Sequence, residues 1–245
     1  MCKKIVSIVI LSCLLLACSS SKKTSTSDKL NTLTVKEKGD GWVLLFDGTT
    51  TNGWHTYNKN VVTKNWKVVD GALVMDSSVK DDADHGDLVT DKAYKNYDLK
   101  VDWKISPAGN SGIIFDVKES PKFQDTYNTG AEMQVLDNIN AEDNKKGNHL
   151  AGLLYDMSGT AELSKPKTVG EWNHSEIIQK DGHLTFYFNG LKTLDVQQGS
   201  DQWKQMIDNS KFKTWAAFMT SPEGKIALQD HGHEVAFRNV MIKEL

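Results

Sequence analysis

The stretch Gly130-Ala131-Glu132-Met133-Gln134-Val135-Leu136-Asp137 decides how the chain is read. It has the composition of a buried β-strand, interrupted by polar side chains. Met133, Val135 and Leu136 can feed a core. Glu132 and Gln134, two residues apart, share the opposite face. A regular strand turns Asp137 away from them, whereas one extra residue, as in a β-bulge, would return it to their side. Glu132, Gln134 and Asp137 would then line one wall. Such a row is costly to bury without partners, so it is expected to face a wet groove. On spacing alone, the more economical reading of Glu132 is a solvated residue on the polar face of a half-exposed sheet.

Around this stretch the chain reads as short strands and turns. Trp66–Val69 and Ala72–Met75 flank Asp70-Gly71, and Trp172–Gln179 and His183–Asn189 flank Asp181-Gly182. Asp-Gly between alternating runs is the pattern of a two-residue hairpin. Asn189-Gly190 leads into Leu191–Val196 in the same way. Tyr97–Ile105 alternates apolar and polar residues without a break, as in a strand with one face in a core. Trp42–Phe46, Gly112–Val117, Gly224–Gln229 and Glu234–Ile242 supply further strands. Only Ser200–Ile207 reads as a helix, with Ser200 as N-cap. Many short strands and one helix predict an all-β sandwich or jelly roll.

Composition narrows the function classes. The 245 residues carry 29 Lys and Arg against 32 Asp and Glu, a formal net charge of −3, which offers no basic field for nucleic acid. The three cysteines, Cys2, Cys13 and Cys18, lie near the N-terminus, so the rest of the chain has neither disulfides nor thiolate metal sites. Lys3-Lys4 precede an apolar run from Ile5 to Leu16, the arrangement of an export signal, too short for a comfortable membrane span. The run ends in Leu15-Leu16-Ala17-Cys18, which resembles the bacterial lipobox. The resemblance implies cleavage of a 1–17 lipoprotein signal peptide and lipidation of Cys18, which would make the membrane a partner of the chain. Residues 18–40 are then expected to be a flexible tether, with Ser19–Lys29 rich in Ser, Thr and Lys, and residues 41–245 a single domain. No acidic cluster follows Cys18, so the expected location is the outer membrane, facing the periplasm.

Several segments, taken in order, resemble the 3-keto-disaccharide hydrolase domain family. They are Gly41–Gly48 with Gly53-Trp54, Asn110-Ser111-Gly112-Ile113, Glu132–Asp137, Gly170–Asn173, and Leu228–Gly232 with Val235–Asn239. The resemblance implies a concanavalin A-like jelly-roll sandwich of two antiparallel sheets with a concave sugar-binding face. The wider superfamily includes glycoside hydrolase family 16, whose catalytic strand has the pattern E-x-D-x-x-E. Here Glu132-x-Gln134-x-x-Asp137 stands at the same spacing. A Gln replaces the helper Asp and a shorter Asp the final Glu, so the ordinary two-carboxylate mechanism, which needs carboxyls about 5–5.5 Å apart, is disfavoured.

The implied substrate is a glycoside already oxidised at C3. The ketone acidifies the C2 proton, so the glycosidic bond can leave by 1,2-elimination, and water can add to the enone afterwards. This chemistry calls for a base, a donor to the carbonyl oxygen and an acid for the leaving group. Glu132 and His231 are the candidate catalytic groups. Gln134, Asp137, Asn110, Asn173 and Gln229 are candidates for binding sugar hydroxyls, with Trp54 or Tyr155 stacking on the ring. Asp230, beside His231, is expected to point away from it. His55, His183 and His233 read as surface residues. No cofactor is expected. A divalent metal assisting the enolate is chemically sensible, but the Asp81–Asp87 acidic cluster fits no EF-hand spacing and reads as a solvated loop. An oxidoreductase supplying the 3-keto sugar is a possible partner. A non-catalytic lectin-like module and a family 16-like glucanase are the competing functions.

Overall fold

In a computed structural model, the protein is described at Met1 and residues 29–245. Thirteen strands follow one another: β1 (Trp42–Leu44), β2 (Trp54–Thr56), β3 (Trp66–Val69), β4 (Ala72–Met75), β5 (Leu88–Thr90), β6 (Tyr97–Ile105), β7 (Asn110–Val117), β8 (Ala131–Leu136), β9 (Asn173–Lys180), β10 (His183–Phe188), β11 (Leu191–Gln197), β12 (Lys225–Leu228) and β13 (Val235–Glu244). They form two antiparallel sheets. The larger runs β11-β10-β9-β6-β13-β4-β3, with β1 also on β13, and the smaller runs β2-β5-β12-β7-β8. This is the expected jelly-roll sandwich. The strand bounds follow the sequence pattern closely for β3, β4, β6 and β10. Strands β2 and β5 were not expected, because three residues are too few to show a period.

The hairpins form as the turn residues dictate. Asp70-Gly71, Asp181-Gly182 and Asn189-Gly190 all take positive φ, between 48° and 82°, which two-residue turns require and Asp, Asn and Gly tolerate. The two sheets close on a shared core. Trp103 stacks on Phe188 at 5.8 Å within the larger sheet, and Phe115 of the smaller sheet meets the ring edge of Phe186 at 5.7 Å. Alternation in the smaller sheet sends Ile113, Phe115, Met133 and Val135 into this core and leaves Glu132, Gln134 and Ile114 on its other face.

A helix, α1 (Val35–Gly39), precedes β1, and α2 (Asp201–Asp208) follows β11, with the Ser200 hydroxyl accepting the Trp203 N–H at 3.1 Å. The body reaches back beyond residue 41. Asn31, inside the stretch read as a tether, is buried; its N–H donates to Asn239 Oδ1 at 2.7 Å and its amide to the Gly71 carbonyl at 2.8 Å. Cys18, the expected signal peptide apart from Met1, and residues 18–28 of the expected tether lie outside the described residues. Among the described residues no helix is long and apolar enough to cross a membrane.

Candidate active site

Strand β8 carries the centre of the site. It pairs with β7 in unbroken register, from Asn110 opposite Leu136 to Phe115 opposite Ala131. There is no bulge in this pair, so Glu132 and Gln134 share one face and Asp137 does not join them. The other edge of β8 is covered by the segment 151–155. The Gln134 N–H donates to the Leu153 carbonyl at 3.0 Å, and the Tyr155 N–H donates to the Glu132 carbonyl at 3.0 Å. This pairing sets Tyr155 beside Glu132. From the other side, the Gln229 N–H donates to the Gly112 carbonyl at 3.0 Å, while Ser111 Oγ donates to the Gln229 carbonyl at 2.8 Å.

The result is a cavity of about 460 Å³ lined by Asn110, Glu132, Gln134, Tyr155, Gln229 and His231. Six of the sequence-chosen residues thus meet in one hollow. Residues from the chain's middle and end come together because β12, near the C-terminus, lies next to β7. Lys211, Tyr127, Trp215, Asp125 and Asp143 also line it. Sequence reasoning passed over these five; the nearest thing to a signal was the aromatic and basic run Lys211-Phe212-Lys213-Thr214-Trp215 behind the one legible helix.

Glu132 lies against Gly112. A Cβ built on that glycine would stand 2.1 Å from Glu132 Oε1, so only glycine leaves room for the carboxyl. Glu132 is 7 % exposed, and burial pushes its pKa up to about 8; Asp87 and Asp143 add to the rise, and the Lys211 cation opposes it. A buried carboxyl raised this far beside a groove is a candidate for proton transfer. Two amides nearby have acceptors without partners: Asn110 Oδ1 and Gln229 Oε1 are buried and unpaired. Buried polar atoms are normally satisfied, so these two acceptors stand out beside the cavity.

Beside the cavity, the His149 ring bridges two carboxylates, with Nδ1 2.7 Å from Asp143 Oδ1 and Nε2 2.8 Å from Asp156 Oδ1. It packs on Tyr155 at 4.3 Å. Burial and the Asp143 carboxylate push the Tyr155 hydroxyl pKa well up, while burial and Asp125 push Tyr127 up to about 12. Both hydroxyls therefore keep their protons.

His231 sits exposed at the cavity mouth, its ring stacked on His233 at 6.0 Å. Together with Gln229, Tyr127 and Asp125 it also lines an adjoining hollow of about 670 Å³. Asp230 does turn away, as expected. Its Oδ2 lies 2.7 Å from His85 Nδ1 and accepts the Asn65 amide at 2.8 Å.

Three candidates leave the site. Asp137 is the staple of the following loop: Oδ2 accepts from the Ala108 N–H at 2.8 Å and the Asn140 amide at 3.0 Å, and Oδ1 from the Ile139 N–H at 2.9 Å. The missing bulge is the cause. Asn173 is buried beside the same loop, its Oδ1 accepting from the Lys167 N–H at 2.8 Å and the Asn189 amide at 2.9 Å. Asn173 and Asp137 line a separate hollow. Trp54 is in the core, its indole N–H donating to the Leu45 carbonyl at 2.6 Å, so it has no face for a sugar. His55 is not a free surface residue either: it lies between Asp91 and Glu119, at 2.5 and 2.9 Å.

The acidic cluster is consumed internally. Asp81 caps a short turn through the Ala83 N–H, Asp84 pairs with Lys64, and Asp87 accepts the Asp230 N–H. Among the described residues no three His, Cys, Asp or Glu side chains are grouped to hold a metal ion.

Residues 41–243 match the model of the 3-keto-alpha-glucoside-1,2-lyase-like domain. A protein from Bacteroides thetaiotaomicron named 3-keto-disaccharide hydrolase is 34 % identical over 250 residues, covering 92 % of this chain and 86 % of its own. A crystal structure from Parabacteroides distasonis, described provisionally as a glycosyl hydrolase, superposes with a TM-score of 0.79 at 37 % identity, covering 89 % of this chain and all of its own. A second structure from the same organism, described in the same terms, gives a TM-score of 0.63 at 25 % identity over 83 % of this chain and 99 % of its own.

Proposed function

The chain belongs to the 3-keto-alpha-glucoside-1,2-lyase-like domain family, and on that premise we propose that it cleaves 3-keto-glycosides by 1,2-elimination followed by hydration. The observation that carries this reading is Glu132, a carboxyl held at a pKa of about 8 within a cavity that also offers unpaired amide acceptors. A base this strong suits a proton next to a ketone better than it suits nucleophilic attack on an acetal. With Asp137 occupied by its loop, the spacing of a two-carboxylate glucanase is not assembled.

Glu132 takes the C2 proton, and the electron pair moves toward C3, placing negative charge on the C3 oxygen. The pair then returns, forming the C1–C2 double bond as the C1–O bond breaks. The leaving oxygen takes a proton from His231, which stands where the cavity meets the adjoining hollow, the natural seat for the departing half of the substrate. Water then gives one proton to His231 and bonds through its oxygen to C1, while Glu132 returns its proton to C2, so both groups end as they began. The sum is a 3-keto sugar plus an alcohol. Asn110 and Gln229 accept hydrogen bonds from ring hydroxyls, Gln134 orients them, and Tyr155 supplies a ring edge.

Incubation with a 3-keto-glucoside tests the reading by released alcohol and by enone absorbance. Binding without turnover favours a lectin-like module. Turnover by both Glu132→Gln and His231→Ala at wild-type rates would defeat the assigned roles. From the Leu15-Leu16-Ala17-Cys18 run, which resembles a lipobox, we infer that lipid on Cys18 holds the domain at the outer membrane, facing the periplasm, where an oxidoreductase acting on C3 would supply the substrate. Cys18→Ala should move the protein from the membrane to the soluble fraction.

A further inference from the structure

We propose that Lys211 is a catalytic residue: its ammonium receives the negative charge that develops on the substrate's carbonyl oxygen. The inference rests on the reading above, that a carbonyl stands next to the C–H bond broken by Glu132.

Lys211 lines the same cavity as Glu132, yet among the described residues its Nζ makes no ion pair or hydrogen bond. Lys146, which shares Asp156 with the Lys211 backbone, is by contrast paired, its Nζ 3.1 Å from Asp156 Oδ1. What surrounds the Lys211 ammonium is aromatic. It stands 4.4 Å from the centroid of Tyr155, 5.2 Å from Phe212, and 5.9 Å from both Tyr127 and Trp215. Ring faces attract a cation without neutralising it, as a carboxylate would. Lys211 is itself exposed, so the rings flank the ammonium without burying it.

The mount is rigid. The Lys211 backbone N–H donates to Asp156 Oδ2 at 2.7 Å, and Asp156 Oδ1 is held by His149 and Lys146. The next residue is fixed as well, with the Phe212 N–H donating to Ser210 Oγ at 3.1 Å. A fixed donor costs no reorganisation when charge appears, and that is what makes such groups effective. The chemistry balances. As Glu132 removes the C2 proton, the charge on the C3 oxygen meets the ammonium; as the C1–O bond breaks, the carbonyl reforms and Lys211 keeps its proton. The other use of a lysine facing a ketone, imine formation with loss of water, would leave a covalent adduct that borohydride traps.

Lys211→Met keeps the length and the contact with the rings but removes the charge, whereas Lys211→Arg retains a cation. On a 3-keto-glucoside cleaved by the wild type, kcat should fall about 100- to 1,000-fold in the Met variant with KM changed only a few-fold. The Arg variant should recover at least about tenfold over Met, since it restores the charge that the transition state uses. The pH midpoint of turnover should rise in the Met variant, because the cation that opposes the Glu132 shift is gone while Asp87 and Asp143 remain. If Lys211→Met folds poorly, as judged by thermal melting, Lys211→Gln carries the same comparison. Full activity in a neutral variant, equal loss in the Met and Arg variants, or a borohydride-trapped sugar adduct on Lys211 would each overturn the proposal. Failure of the wild type to cleave the substrate would instead sink the reading beneath it.

Discussion

Replacing Glu132 with Gln should make the protein more stable in alkali while abolishing its turnover. The folded chain raises this carboxyl from an ordinary 4.5 to about 8, so the native state holds the proton more tightly than the unfolded state does. Stability from this group is therefore complete below about pH 4.5 and lost as pH rises through about 8. A shift of about 3.5 units corresponds to at most about 5 kcal/mol. Gln keeps the shape and cannot ionise, so the variant has no such slope. At pH 4 the two proteins should melt within a few degrees of each other. At pH 9 the variant should melt higher, by about 10–20 °C at the upper limit for a chain this size. The assay is far-UV circular dichroism melting at pH 4, 7 and 9. The same group sets the acid side of the rate profile: kcat/KM of the wild type on a 3-keto-glucoside should climb with pH up to about 8, as the base is freed. Parallel melting curves for the two proteins at all three pH values would refute the burial argument, and with it the assignment of an elevated base.

Other outcomes follow from the same coordinates. Gly112→Ala should displace the Glu132 carboxyl and lower kcat about 100-fold or more with little change in circular dichroism, since a Cβ there would stand 2.1 Å from Oε1. Asp137→Ala should cost about 2–4 kcal/mol in urea unfolding, because it orphans the loop N–H groups it now satisfies. Burial alone would raise the Asp137 pKa, but its donors, Asn140 first, hold it below the usual range; the stability it gives is present above about pH 4 and lost as pH falls through the lowered value. Asp116→Asn should stabilise the protein above pH 7 by up to about 4 kcal/mol, measured by the same unfolding: burial pushes this carboxyl up to about 7, Gln179 already donates to its Oδ1 at 2.9 Å, and Oδ2 has no partner. Asn also tolerates the positive φ of 59° at that position.

Much of the fold is written in short-range chemistry. The period-2 run of Tyr97–Ile105 needs only one dry face to become β6, and Asp-Gly or Asn-Gly at three turns leaves the backbone little choice but a hairpin. Glu132 stood out as a charge on a strand otherwise fit for a core, but spacing alone read it as solvated, and the structure buries it. Asp137 was misplaced because a bulge cannot be seen in one strand alone: it depends on register with β7, and that register is unbroken. Trp54 was misplaced because an indole reads the same in a core as in a groove, and only its bond to the Leu45 carbonyl separates the two. Residues 2–28, including Cys18, lie beyond what the structure describes.

What the sequence by itself determined was therefore local: which segments pair, where they turn, and which acid stands out of place. The tertiary structure decided the partners of that acid. Packing β12 beside β7 brought Gln229 and His231 to Glu132, and the clasp of Asp156 on the Lys211 backbone turned a cation into the same hollow. Contacts between residues far apart in the chain are fixed by sheet order and loop anchoring, and neither leaves a periodic mark on the segments it joins.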